Sequence, residues 1–137
     1  MYYRYMRISN KIKGYLDLAK RVAQQSQHDH FKHGAVLVKG GSVLNTSCNK
    51  DKYKSFGNRF RDTKTCGHAT HHAELGCILG LDKSITQGAT MYVVRVNRQG
   101  EYRLSKPCPM CEEVLKFCGV KKVVYTTDEA SANKIKL

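Results

Sequence analysis

Two short segments carry residue types suited to metal-assisted chemistry: His72-Ala73-Glu74 and Pro107-Cys108-Pro109-Met110-Cys111. An imidazole and two thiolates supply three ligands for zinc, and a catalytic zinc keeps its fourth position for water. Cys108 and Cys111 stand three apart, so on a helix they share a face. At a first helical turn they also meet the positive end of the helix, which favours thiolate. Zinc held there lowers the pKa of bound water towards ~7, so hydroxide is available at neutral pH. Glu74 follows His72 by two, and on a regular helix such residues point apart. The pair converges if His72 lies at the helix start and Glu74 reaches back. Glu74 can then take a proton from the water and hand it on to the reacting group.

Other uses of these residues compete with this one. A redox pair at Cys108 and Cys111 normally follows the first strand near the N-terminus, and it leaves His72-Ala73-Glu74 without a role. A closed structural zinc would need a fourth ligand from Cys66, His68 or His71. A second, structural metal is a further reading, built from Cys48, Cys66, His68 and His71, with His28, His30 and His33 nearby. Cys77 and Cys118 fall on apolar helix faces and read as core thiols.

The elements that must position these groups follow from periodicity. Ser9 can cap a helix that buries Ile12, Tyr15, Leu16, Ala19, Val22 and Ala23. The run Gly34–Val38 reads as a strand, Lys39–Ser42 as a tight turn, and Val43–Cys48 as the returning strand. Lys50–Lys64 reads as a basic surface loop, His71–Leu81 as a helix, and Ala89–Val96 as a central strand. Pro109 suits the first turn of a third helix ending near Phe117, with Gly119 as its stop. Lys122–Thr126 is another strand, and the last ten or so residues have weak pattern. A strand-helix-strand segment needs a crossover covering one face of the sheet, which makes this an α/β domain.

With 137 residues the chain is one domain, residues 1–137. Residues 1–8, which include Tyr2, Tyr3 and Tyr5, read as a flexible or contact tail. No apolar run is long enough to span a membrane, and no secretory signal is read at the start. The six cysteines therefore fit metal ligation or buried thiols in a reducing, cytoplasmic setting. A net charge of +13 attracts anions, with nucleotide phosphates and nucleic acid among them. Lys50, Lys52, Lys54, Arg59 and Arg61 are candidates for a substrate phosphate.

The paired motifs resemble the H-x-E and P-C-x-x-C signature of the zinc nucleobase deaminases, whose Glu is not a zinc ligand. Gly34–Val38 resembles the strand opening of deoxycytidylate and tRNA adenosine deaminases. Ser47-Cys48-Asn49 is similar to the segment whose Asn contacts the sugar, and Lys121–Tyr125 to the strand after the third helix. The sequence departs from the deoxycytidylate branch at Ser47 and Cys48, and from the tetrameric cytidine deaminases at Pro109-Met110. The deoxycytidylate type is nonetheless the nearest branch.

The resemblance implies a three-layer α-β-α domain with a mixed sheet of about four or five strands. It implies zinc on His72, Cys108 and Cys111, with Glu74 as proton shuttle. Substrate contacts are implied at Asn49 and Ala73, with Lys50, Arg59, Arg61 and Tyr125 as further candidates. The expected reaction is hydrolytic deamination of a cytosine nucleotide, and the expected assembly a homo-oligomer. A polynucleotide deaminase is the second reading, because charge favours it. The little chain beyond Thr127, too short for the helices that frame a strand groove, disfavours it.

Overall fold

In the computed structural model the described residues are 9–27, 31–53, 70–129 and 131–137, with backbone only at 50–53, 70 and 71. Ser9 caps the first helix: its Oγ accepts a hydrogen bond from the Ile12 amide at 3.2 Å. The helix, α1, runs Asn10–Ala23 and buries Leu16, Ala19, Val22 and Ala23. A hairpin follows, β1 (Lys32–Lys39) and β2 (Ser42–Cys48). Gly40 and Gly41 at its tip have φ of 59° and 82°. That pair of positive angles matches the twist of the strands and suits glycine.

After the hairpin come β3 (Lys50–Tyr53), β4 (Thr70–His71), α2 (Ala73–Ile78) and α3 (Lys83–Thr86). The remaining elements are β5 (Thr90–Val96), β6 (Tyr102–Arg103), α4 (Pro109–Phe117), β7 (Lys122–Thr126) and β8 (Ala132–Lys136). The main sheet has the order β2-β1-β5-β7-β8, with β6 also paired to β5, and β3 and β4 form a separate ribbon. β5 and β7 are parallel; β1 is antiparallel to β5.

Successive side chains of a strand point to opposite faces, and the sheet buries both. Val36, Val94 and Val124 pack with Leu16 and Ala19 of α1. Ala35, Leu37, Met91, Val93 and Val123 pack with Leu75 of α2 and Val114 and Leu115 of α4. The three layers are therefore α1, the sheet, and α2 with α4. β5 is central because six of its seven residues are buried, a run of apolar and β-branched side chains suited to a strand covered on both sides.

The expected elements are all present, and several boundaries and additions differ. The second helix is Ala73–Ile78 rather than His71–Leu81, since Gly80 turns the chain with a φ of 82°. Part of the expected Lys50–Lys64 loop is a strand, Lys50–Tyr53, whose partner is the two-residue β4. The rest of that loop lies outside the described residues. The mixed main sheet has the expected five strands along its path, with β6 paired to β5 as a sixth among the described residues. Two strands lie where the sequence had no clear pattern: the two-residue β6, and β8, where Ala132, Asn133, Lys134, Ile135 and Lys136 pair along β7. Cys77 is a core thiol as expected, while Cys118 is only half-buried at the end of α4.

Two contacts lock the elements that carry the two motifs. Gly34 lets α1 lie against β1: a Cβ there would collide with the Ala19 carbonyl oxygen and the Ala23 amide nitrogen. Ser105, fully enclosed just before the Pro107-Cys108 segment, donates its hydroxyl to the Val93 carbonyl at 2.8 Å. Its Oγ also accepts the Thr126 amide at 2.7 Å. One side chain thus clasps β5, β7 and the segment leading into α4.

Gly34→Ala should destabilise the fold by about 3 kcal/mol through overpacking, visible as a melting temperature about 10 °C lower. Ser105→Ala should cost roughly 1–3 kcal/mol because the Thr126 amide is left without an acceptor. Urea titration measures it, and Ser105→Thr should recover part of the loss.

Candidate metal centre and active site

α2 and α4 are the crossover helices that precede β5 and β7. Their N-termini therefore meet over the C-terminal ends of these parallel strands, where α/β sheets bind ligands. His72 is the residue immediately before α2, with φ −73° and ψ 148°, and its side chain makes no capping bond. Cys108 occupies the same position before α4, with φ −70° and ψ 163°, and it too leaves its own helix uncapped. Both side chains are turned towards each other instead. Pro109 fits the first turn because the amide it lacks has no helical partner there. Cys111, three residues after Cys108, is fully buried on the inner face of α4.

The three donors converge. His72 Nδ1 lies 3.2 Å from Cys111 Sγ and 3.8 Å from Cys108 Sγ, and all three donor atoms lie within 4.8 Å of one another. A tetrahedral zinc with ordinary Zn–N and Zn–S bonds spaces such donors by about 3.5 Å. The residues present therefore fit zinc in both donor type and spacing. Among the described residues they form the sole cluster of three or more His, Cys, Asp or Glu able to hold a metal.

Electrostatics agree with this geometry. Hydrogen bonding from Cys111, and then from His72, holds the Cys108 thiol down to about 3, so it is a thiolate. That thiolate raises His72 by accepting its hydrogen bond, against the opposing effect of burial, and Glu74 raises it further. Cys111 is pushed well up, first by its hydrogen bond to Cys108 and then by burial. A cation among the three donors would take the place of the protons that His72 and Cys111 hold. Glu74, 4% exposed, has its carboxyl raised by burial, with the His72 charge pulling the other way. Such a carboxyl changes protonation readily when a charge or a water beside it changes.

Around this centre the structure places the other candidates unevenly. Ala73 begins α2 between His72 and Glu74 and is buried. Asn49 follows β2, and its side chain brackets the start of β1: Oδ1 accepts the His33 amide at 2.9 Å and Nδ2 donates to the Phe31 carbonyl at 2.6 Å. Tyr125 is buried on β7 beside Val93, on the α2 and α4 face. Lys50 and His71 lie in the β3–β4 ribbon, with their side chains outside the described residues. Arg59, Arg61, Cys66, His68, His28 and His30 also lie outside them, as do Tyr2, Tyr3, Tyr5, Lys52 and Lys54 side chains. Cys48 is a free, half-buried thiol and joins no metal-binding cluster among the described residues. Sequence reasoning missed Ser105. Its one visible signal is a small hydroxyl residue just ahead of Pro107, and its partners on β5 and β7 are remote in sequence.

Comparison with known proteins agrees with this arrangement. Residues 9–127 match the cytidine and deoxycytidylate deaminase zinc-binding region. The deoxycytidylate deaminase of Mycobacterium phage D29 is 29% identical over 125 residues, covering 81% of this chain and 90% of the phage protein. The apo crystal structure of dCMP deaminase from cyanophage S-TIM5 aligns with a TM-score of 0.61 at 25% identity, covering 89% of this chain and 86% of that one. The same cyanophage protein in complex with dCMP and dUMP aligns with a TM-score of 0.57 at 20% identity, covering 88% and 85%. With residues 9–127 matched by the family and three donors gathered at paired helix starts, the chain belongs to the zinc-binding cytidine and deoxycytidylate deaminases, a family of hydrolytic deaminases.

Proposed function

We propose that this protein converts a cytosine nucleotide of the dCMP type to its uracil counterpart, with release of ammonia. The observation that carries this reading is the buried Glu74 beside the His72, Cys108 and Cys111 donor set. The phage and cyanophage relatives, named for deoxycytidylate as substrate, support the choice of base and sugar. His72, Cys108 and Cys111 would hold zinc, which when bound acidifies a water molecule enough for it to react near neutral pH.

The chain's own groups then do the rest. Glu74 is held in a water-poor pocket one turn or less from the donors, so it accepts a proton from the attacking water and delivers it to N3 of the base. It then takes the proton of the new C4 hydroxyl and passes it to the exocyclic amine, which departs as ammonia while the C4 carbonyl forms. A single carboxyl serves throughout because burial has raised its proton affinity. Asn49 and Ala73 are assigned to the sugar and the base. The bracket that Asn49 makes with Phe31 and His33 fixes its amide in place, leaving one N–H and one lone pair for substrate. The small side chain of Ala73 leaves space beside Glu74. The protein acts on free nucleotides, in a cytoplasmic setting and as a homo-oligomer.

Glu74→Gln should keep stoichiometric zinc and the native fold while ammonia release from dCMP falls by about 10²–10⁴-fold. Retained turnover would remove Glu74 from the mechanism, and ammonia released faster from single-stranded oligonucleotides than from dCMP would replace the free-nucleotide reading. Chelation of zinc should lower the melting temperature and abolish turnover, with both restored on adding zinc back. Cys111→Ser should show the lowered melting temperature without restoration, and metal analysis should find it depleted.

A further inference from the structure

A row of basic residues crosses the sheet at the end where the active site lies. Residues directly opposite in paired strands stand side by side on one face. The register sets His33 of β1 against Arg95 of β5, and Arg95 against Arg103 of β6. Arg95 shares its face with Met91 and Val93, which pack under α2 and α4. It lies near the C-terminal end of β5, the end over which both helices begin.

Arg95 and Arg103 stand directly opposite each other, and opposed like charges destabilise a sheet. The nearby carboxylates offset this only in part: the charge of Asp128 supports that of Arg95 without a hydrogen bond to its Nε. Asp128 accepts the Leu104 amide at 2.8 Å, and Glu101 lies 3.8 Å from Arg103 rather than beside Arg95. Arg95 Nε is buried and has no hydrogen-bond partner among the described residues. A buried donor left unmade costs free energy that an anion would recover. The guanidinium is nevertheless held in place, its Cζ 4.4 Å from the centre of the Phe31 ring. Stacking of this kind fixes the plane of the fork and leaves its edges to bind a bidentate oxyanion. The Phe31 carbonyl in turn accepts the Asn49 side chain, so the Arg95 stack and the residue assigned to the sugar share one support.

We infer that Arg95, flanked by His33 and Arg103, binds the 5′-phosphate of the nucleotide. This rests on the nucleotide deaminase reading above: a base at the metal donors and a sugar at Asn49 send the phosphate towards the Phe31–Arg95 stack. Arg95 thus determines the choice of nucleotide over nucleoside.

The test uses the zinc-loaded full chain and the product pair dUMP and deoxyuridine, followed by calorimetry. The wild type should bind dUMP roughly tenfold to a hundredfold more tightly than deoxyuridine. Arg95→Gln should bring that ratio to within about threefold, with deoxyuridine affinity and zinc content unchanged. Arg95→Lys, which keeps the charge and loses the fork, should fall between. A wild-type ratio near one, or a ratio that survives in Arg95→Gln, overturns the assignment and leaves the deaminase reading standing. If Arg95→Gln does not fold, the wild-type ratio and the Arg95→Lys ratio decide on the same terms. Ammonia release from dCMP is scored separately, and its absence counts against the deaminase reading alone. In that event inorganic phosphate is the probe: a rise in melting temperature in the wild type that Arg95→Gln lacks supports the anion site, and equal shifts in both overturn it.

Discussion

Two helices that begin at the same end of one sheet bring His72 Nδ1, Cys108 Sγ and Cys111 Sγ within 4.8 Å of one another, and nearly everything else in the structure serves that convergence. His72 and Cys108 are each the last extended residue before a helix. At that position a side chain is free to leave the helix axis and reach sideways. A polar residue there commonly caps its own helix, but these two make no capping bond and meet each other. The positive ends of α2 and α4 then face a shared point, which favours the thiolate at Cys108 and the negative charge that a zinc-ligand set carries.

Holding two helix starts in register takes more than their own sequences. The parallel pairing of β5 with β7 sets the spacing of the two crossovers. Ser105 ties the segment ahead of Cys108 to both strands at once. On the far face α1 presses against β1 through Gly34, where only hydrogen fits. Leu75, Met91, Val114 and Leu115 fill the space between sheet and helices with fully buried apolar side chains. A filled core resists shifts of the kind that would separate the donors. The same burial makes Glu74 hold its proton more tightly, so packing and acid–base chemistry have one cause. The edge of this site is different in character. There the core gives way to the opposed Arg95 and Arg103, with His33 across from Arg95 on β1.

Much of this could be read from the chain before any coordinates. The metal donors and Glu74 are legible because their chemistry is local: His72 and Glu74 are two apart, Cys108 and Cys111 three apart. Helical geometry converts such spacings into shared faces. Likewise α1, the β1–β2 hairpin, β5, α4 and β7 are set by periodicity, by Ser9, by Gly40-Gly41 and by Pro109. Tertiary structure supplied the means by which positions 72 and 108, far apart in the chain, meet: two helix starts at one end of the sheet, with all three donor atoms within 4.8 Å. It also made Asn49 a bracket for the start of β1, made Ser105 a clasp, and aligned Arg95 with His33 and Arg103. Short β6 and the charged β8 carry too little apolar pattern to announce themselves; they are strands because β5 and β7 offer them unpaired backbone groups. The physical reason is the range of the interactions. Capping, turns and helical faces are fixed by neighbours a few residues away, whereas strand register and the meeting of two helix ends depend on how the whole core packs.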